Sequence, residues 1–133
     1  MTTRFDRDTD VRPLDPARHG PGVFEARMDR GWWVVHGPNG GYVAAQLLRA
    51  LAHGVEPVRT ARSLTVHYTA RPEEGPVRIE TRIEREGRSL TTASARMTQG
   101  ERLLALALAA FSKPRPGPRF DHARMPEVPP PER

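Results

Sequence analysis

GPNGGYVAAQLLRALAHG, residues 37–54, is the stretch on which the fold turns. Asn39 is an N-cap candidate, a run of good helix formers follows it, and Gly54 stands where a helix would stop. Within the run Ala44, Leu47, Leu48 and Leu51 keep the i, i+3, i+4, i+7 spacing of one apolar face. Tyr42, Gln46, Arg49 and His53 form one polar stripe on the opposite side. The pattern predicts a single helix of about four turns. Its small alanines allow close packing, and the only partner the rest of the chain can supply is a sheet.

Outward from the helix the period falls to two. Before it, Val23 to Met28 and Trp32 to Val35 read as short strands around the turn Asp29-Arg30-Gly31. After it, Leu64, Val66 and Tyr68 alternate with Ser63, Thr65 and His67, and Val77, Ile79, Thr81 and Ile83 alternate with charged residues. The Pro72 to Pro76 turn joins these two strands. Glu86-Gly87-Arg88 is a further turn; Thr91, Ala93, Ala95 and Met97 then share one face, and Gln99-Gly100-Glu101 turns again. Leu103 to Phe111 has helical propensity, but the turn before it and its short length favour a buried final strand. The expected class is therefore α+β, a curved antiparallel sheet wrapped around one long central helix.

The 133 residues are one domain's worth. Residues 1–21, broken by Pro13, Pro16, Gly20 and Pro21, read as an irregular lead-in, residues 22–112 as the domain, and 113–133 as a proline-rich linker or tail. The chain has no cysteine, hence no disulfide, thiolate metal site or cysteine nucleophile, and a reducing cytoplasmic setting is expected. The charged N-terminus lacks the apolar core of a signal peptide, and no apolar run approaches the roughly 20 residues of a membrane span. The net charge of +5 is spread through alternating arginines and glutamates instead of one patch, which argues against nucleic acid as a partner.

Several chemistries fail on motif grounds. Ser89 lacks the downstream glycine of a G-x-S-x-G elbow. GPNGGY lacks the lysine of a phosphate loop, no G-x-G-x-x-G occurs, and the five histidines show no metal-ligand spacing. No cofactor or metal is called for.

The helix start GPNGGYVAA, the strand SLTVHY, then GPVRI, REGRS and QGERL, in that order from about Phe5 to Ser112, resemble the N-terminal hotdog repeat of TesB-like (type II) acyl-CoA thioesterases. The resemblance implies a hotdog fold, fatty acyl-CoA as substrate, hydrolysis without a cofactor, and two hotdog units side by side. In that family one chain carries both units, and the stretch after Lys113 fits the linker between them. The expected partner is thus a second hotdog repeat or a homodimer copy. Hotdog hydratases carry an aspartate with a histidine five residues later, a spacing absent here.

Thioester hydrolysis needs an activated water and donors aimed at the developing oxyanion. The first amides of the helix, at Gly40, Gly41 and Tyr42, are candidate donors, with glycines that admit a substrate carbonyl or simply a tight turn. Asn39 could orient water or merely cap the helix. The family's acid, hydroxyl and amide belong to the second repeat; the equivalent positions here fall near Ser63, Glu84 and Ala110, and none keeps the family's residue type. No aspartate lies between Asp29 and Asp121. Asn39, Gly40, Gly41 and Ser63 are the candidate catalytic residues, and Trp33, Tyr42 and His67 the candidate substrate contacts. His36 and His67 are bases by type alone. A repeat that binds acyl chains and completes a catalytic partner stays open as the alternative to an enzyme.

Overall fold

The computed structural model describes residues 2–131; Met1, Glu132 and Arg133, at the ends of the expected lead-in and tail, lie outside the described residues. The elements are α1 (Arg4–Asp8), β1 (Arg12–Pro13), α2 (Pro16–His19), β2 (Val23–Met28), a 3-10 turn (Arg30–Trp32), α3 (Gly40–His53), β3 (Thr60–Tyr68), β4 (Gly75–Glu86), β5 (Leu90–Gln99) and β6 (Arg102–Ser112). The helix begins and ends where its caps require. Asn39 Oδ1 accepts from the Gly41 amide at 2.8 Å, and Gly54 closes the last turn.

One antiparallel sheet, in the order β1-β2-β4-β5-β6-β3, buries its inner face against α3. Val43, Leu47, Ala50 and Leu51 of the helix meet Val77 and Ile79 of β4, Ala93, Ala95 and Met97 of β5, and Ala105, Ala107 and Ala109 of β6, all buried. Alanines line the inner face of the central strands because a helix must lie close there. Each leucine fully buried this way contributes roughly 1.5–3 kcal/mol. Residues Leu103 to Phe111 form the expected strand within β6, alternating inward alanines with outward Leu106 and Leu108. Gly100 turns β5 into β6 at φ +59°, a conformation that favours glycine.

Three sequence expectations need correction. The strands after the helix are not a simple meander, because β3 and β4, though successive in the chain, are not neighbours: β3 pairs with β6, with Leu64 opposite Ala109 and Val66 opposite Ala107, and the chain then crosses the end of the sheet to reach β4. Alternation fixes which face a strand buries and leaves its neighbour open.

Trp32 to Val35 is not a strand. Asp29 Oδ1 accepts from the Gly31 amide at 2.7 Å and caps the 3-10 turn, and the chain beyond it forms only an isolated bridge between Trp33 and Pro38.

The lead-in is not irregular, and it covers part of the polar stripe of α3: Tyr42 and Gln46 are buried, Arg49 is half-buried and His53 stays exposed. A reciprocal cap between Thr3 and Asp6 starts α1, which meets the stripe at Gln46 and Arg49. Gln46 is wholly buried and donates to the carbonyls of Arg27 and Asp8. Arg49 reaches Asp6 at 3.1 Å, and His53 lies against the Phe24 ring. Residues 113–131 are exposed and form neither helix nor strand.

Candidate active site at the tip of α3

The N-terminus of α3 emerges between the Trp33–Pro38 loop and the end of β3. The caps decide which of its amides are available. Gly41 donates to Asn39 Oδ1, and Tyr42 and Val43 donate to the Asn39 carbonyl at 3.1 and 3.4 Å. Among the described residues only the Gly40 amide of this turn lacks an acceptor. The expected row of three free donors is therefore one, because Asn39 satisfies the others, while the helix dipole still favours negative charge at this point.

Beside Gly40 lies a cavity of about 440 Å³. Its floor is core: Val43, Met97 and Leu104, all buried. Tyr68, the last residue of β3, forms a wall, and its hydroxyl donates to the Gly40 carbonyl at 2.7 Å. Partial burial pushes the Tyr68 phenol above its ordinary range. His36 and Arg71 stand at the polar rim, joined by a 2.7 Å bond from Arg71 Nη1 to the His36 carbonyl. No carboxylate among the described residues lines this cavity.

A second hollow of about 500 Å³, on the other flank of the tip, brings together Trp33, Asn39, Gly41 and Tyr42. Here Tyr42 is a structural tie. Its hydroxyl donates to the Arg27 carbonyl at 2.7 Å and accepts from the Asp29 amide at 3.2 Å, and its ring is stacked under Trp32, with centroids 5.1 Å apart. Burial pushes this phenol up as well. The Trp33 ring lies under the Arg30 guanidinium, 5.2 Å from the centroid.

Ser63 and His67 do not join either group. They point outward from β3, in register with Ala110 and Leu106, on the sheet face away from α3. Glu84 holds the Ser94 hydroxyl at the outer surface, and Gln99 ties the Glu73 backbone. Tyr68, Met97 and Leu104 escaped the sequence reading as site residues because each also fits an ordinary strand. Only the register that carries β3 to the helix tip reveals them. The described residues contain no cluster of metal-binding side chains and no helix long and apolar enough to cross a membrane.

A curved antiparallel sheet around one helix, with a cavity at the helix tip, is the hotdog architecture, and α3 is its central helix. A conserved protein with a hot dog fold from Alicyclobacillus acidocaldarius superposes with a TM-score of 0.83 at 29% identity, over 98% of this chain and 47% of that one. An acyl-CoA thioesterase II, TesB2, from Mycobacterium marinum shares the fold at a TM-score of 0.76 and 21% identity, over 97% of this chain and 45% of that one. The particular family follows from the sequence: residues 29–112 match the model of the acyl-CoA thioesterase N-terminal domain, and the chain belongs to that family. An uncharacterized protein of Mycobacterium tuberculosis is 27% identical over 121 residues, covering 86% of this chain. This chain spans 42% of that relative's length, so it corresponds to less than half of the protein it matches.

Proposed function

We propose that this domain takes part in hydrolysing fatty acyl-CoA thioesters to the acid and free CoA, with the acyl chain in the cavity beside Gly40. One observation carries the reading: the single free amide of the helix tip adjoins a cavity with an apolar floor, so a thioester carbonyl can meet a donor while its tail leaves water. Water adds to the carbonyl, the oxyanion forms toward Gly40 N–H, and the thiolate leaves with a proton. His36, the one histidine among the described residues that lines this cavity, is the candidate to take the proton from water.

A partner completes the site in this reading. β3 is an edge strand of nine residues with one side unpaired, and the Tyr68 wall stands at its end. Such an edge is a template for another strand, and a second hotdog unit laid along it would close the cavity. The unit could be a second copy or a further repeat of the same polypeptide.

The absence of any lining carboxylate favours a second reading, in which this repeat binds the acyl chain and the partner supplies the base. Thiol release from acyl-CoAs of several lengths separates the two. It is measured for this chain across a range of protein concentrations, and again with any segment encoded in frame after Arg133. Turnover by the chain alone supports a complete enzyme, and turnover only in the pair supports the binding repeat. Neither turnover nor acyl-CoA binding in either setting would sink the acyl-CoA reading altogether.

A further inference from the structure

Resting on the acyl-CoA reading, we infer that Tyr68 determines which acyl chains the domain accepts, through a ring that walls the cavity and a hydroxyl latch on the Gly40 carbonyl. Three observations meet at this residue.

The first is that the latch is not forced by burial. Tyr68 is 54% exposed, so its hydroxyl could bond to water, yet it donates to a carbonyl of the first helical turn at 2.7 Å. The second is that Gly40 makes room for it. A Cβ on Gly40 would lie 3.2 Å from the Tyr68 hydroxyl oxygen, closer than side chains ordinarily approach, and in contact with the ring carbon bearing it at 3.4 Å. A glycine at this position thus lets the phenol rest on the helix tip, a role separate from admitting substrate.

The third is that the backbone beneath the ring is fixed. The next residue, Thr69, donates its amide to the Leu104 carbonyl at 2.9 Å and its hydroxyl to the Leu103 carbonyl at 2.8 Å. Strand β3 cannot swing as a unit, so Tyr68 moves by side-chain rotation about a held backbone. Of the other apolar residues that line the cavity, Val43, Met97 and Leu104 are buried core, and Pro38, Ala70 and Pro72 have no side-chain rotation that could enlarge it. The one adjustable apolar wall is the tyrosine, and the size of the side chain at position 68 sets the room for an acyl tail.

The test is a chain-length series of acyl-CoAs, read as kcat/KM where the protein turns over and as Kd for non-hydrolysable thioether analogues where it does not. Tyr68→Phe keeps the wall and removes the latch; it is expected to shift all lengths together by about two- to fivefold. Tyr68→Val, which suits a strand and removes the wall, is expected to raise the preference for the longest chains over the shortest at least tenfold. A purely structural tyrosine would change stability and leave the length profile in place. An unmoved profile in a folded Tyr68→Val protein overturns the inference while the acyl-CoA reading stands. Wild-type protein that binds no acyl analogue at any length overturns both. Should Tyr68→Val fail to fold, Tyr68→Leu carries the same comparison.

Discussion

The two sides of α3 are buried by different physics. Toward the sheet, Leu47, Ala50 and Leu51 are wholly enclosed by alanines, Ile79 and Met97, with no polar group to satisfy. Toward the N-terminal segment, Tyr42 and Gln46 are just as buried but act as donors to the Arg27 and Asp8 carbonyls, beneath the Trp32 ring. The sheet side resists changes in volume. The segment side resists changes in hydrogen bonding, and one of its acceptors, Gln46 Oε1, has no partner among the described residues.

The largest expected effect lies on the sheet side. Leu47→Ala removes a fully buried side chain between close-packed strands, and the cavity it leaves cannot collapse easily. A loss of about 2–5 kcal/mol is expected by urea or guanidinium denaturation. A loss below about 1 kcal/mol, the scale of an ordinary surface substitution, would mean that α3 does not seat against the sheet.

On the segment side the expected effect is smaller and depends on pH. Tyr42→Phe strands the Asp29 amide and removes a bond to the Arg27 carbonyl while leaving the stacked ring, a change of about 1–2 kcal/mol at neutral pH. Because burial raises the Tyr42 pKa, the neutral phenol stabilises the folded state below the unfolded value, about 10, and that contribution is lost as pH rises through the higher folded value. The variant should therefore lose less Tm than wild type between pH 9 and 11. An equal alkaline loss would show that Tyr42 ionises as freely in the folded protein as in the unfolded chain.

The same contrast explains what the amino-acid string discloses. The span of α3 is legible because Asn39 and Gly54 act locally, and β4 to β6 are legible because each buries one face against a single helix. The neighbour of β3 is not, since Leu64 and Ala109 meet across the chain and no local pattern encodes that register. Trp32 to Val35 misleads because strand-forming side chains yield to the Asp29 cap and to stacking on Tyr42. The lead-in is the sharpest case: the stripe of Tyr42, Gln46, Arg49 and His53 stands opposite the apolar face, and nothing within the helix says what covers it. Thr3 and Asp6, at capping-box spacing, were the available sign that a helix begins there. At the site, Gly40 was readable as a helix-tip glycine, whereas its close approach to Tyr68 depends on tertiary register alone.

The smallest effect sharpens the contrast by acid titration. Asp8 accepts from the Trp32 indole at 3.0 Å and from Arg4 and Arg7 at 3.1 and 3.2 Å, and the indole bond is the first cause holding its carboxyl below the usual range. Asp6 is lowered chiefly by Thr3, and Glu56, across the fold at the base of the tail, chiefly by Lys113. A depressed folded pKa gives stability that is full above the unfolded value, about 4, and is lost as pH falls through the folded one. Asp8→Asn should lower Tm modestly at pH 7 and reduce, without abolishing, the fall in Tm between about pH 4 and pH 2, since Asp6 and Glu56 still titrate. Leu47→Ala supplies the control: it should lower the whole curve without changing its acid slope, because Leu47 sits in a core of apolar side chains and Asp6, Asp8 and Glu56 all lie outside it. If Asp8→Asn leaves that slope unchanged, the indole and guanidinium contacts of Asp8 do not hold in solution, and the cover over Gln46 rests on the Asp8 carbonyl, the Asp6–Arg49 pair and packing.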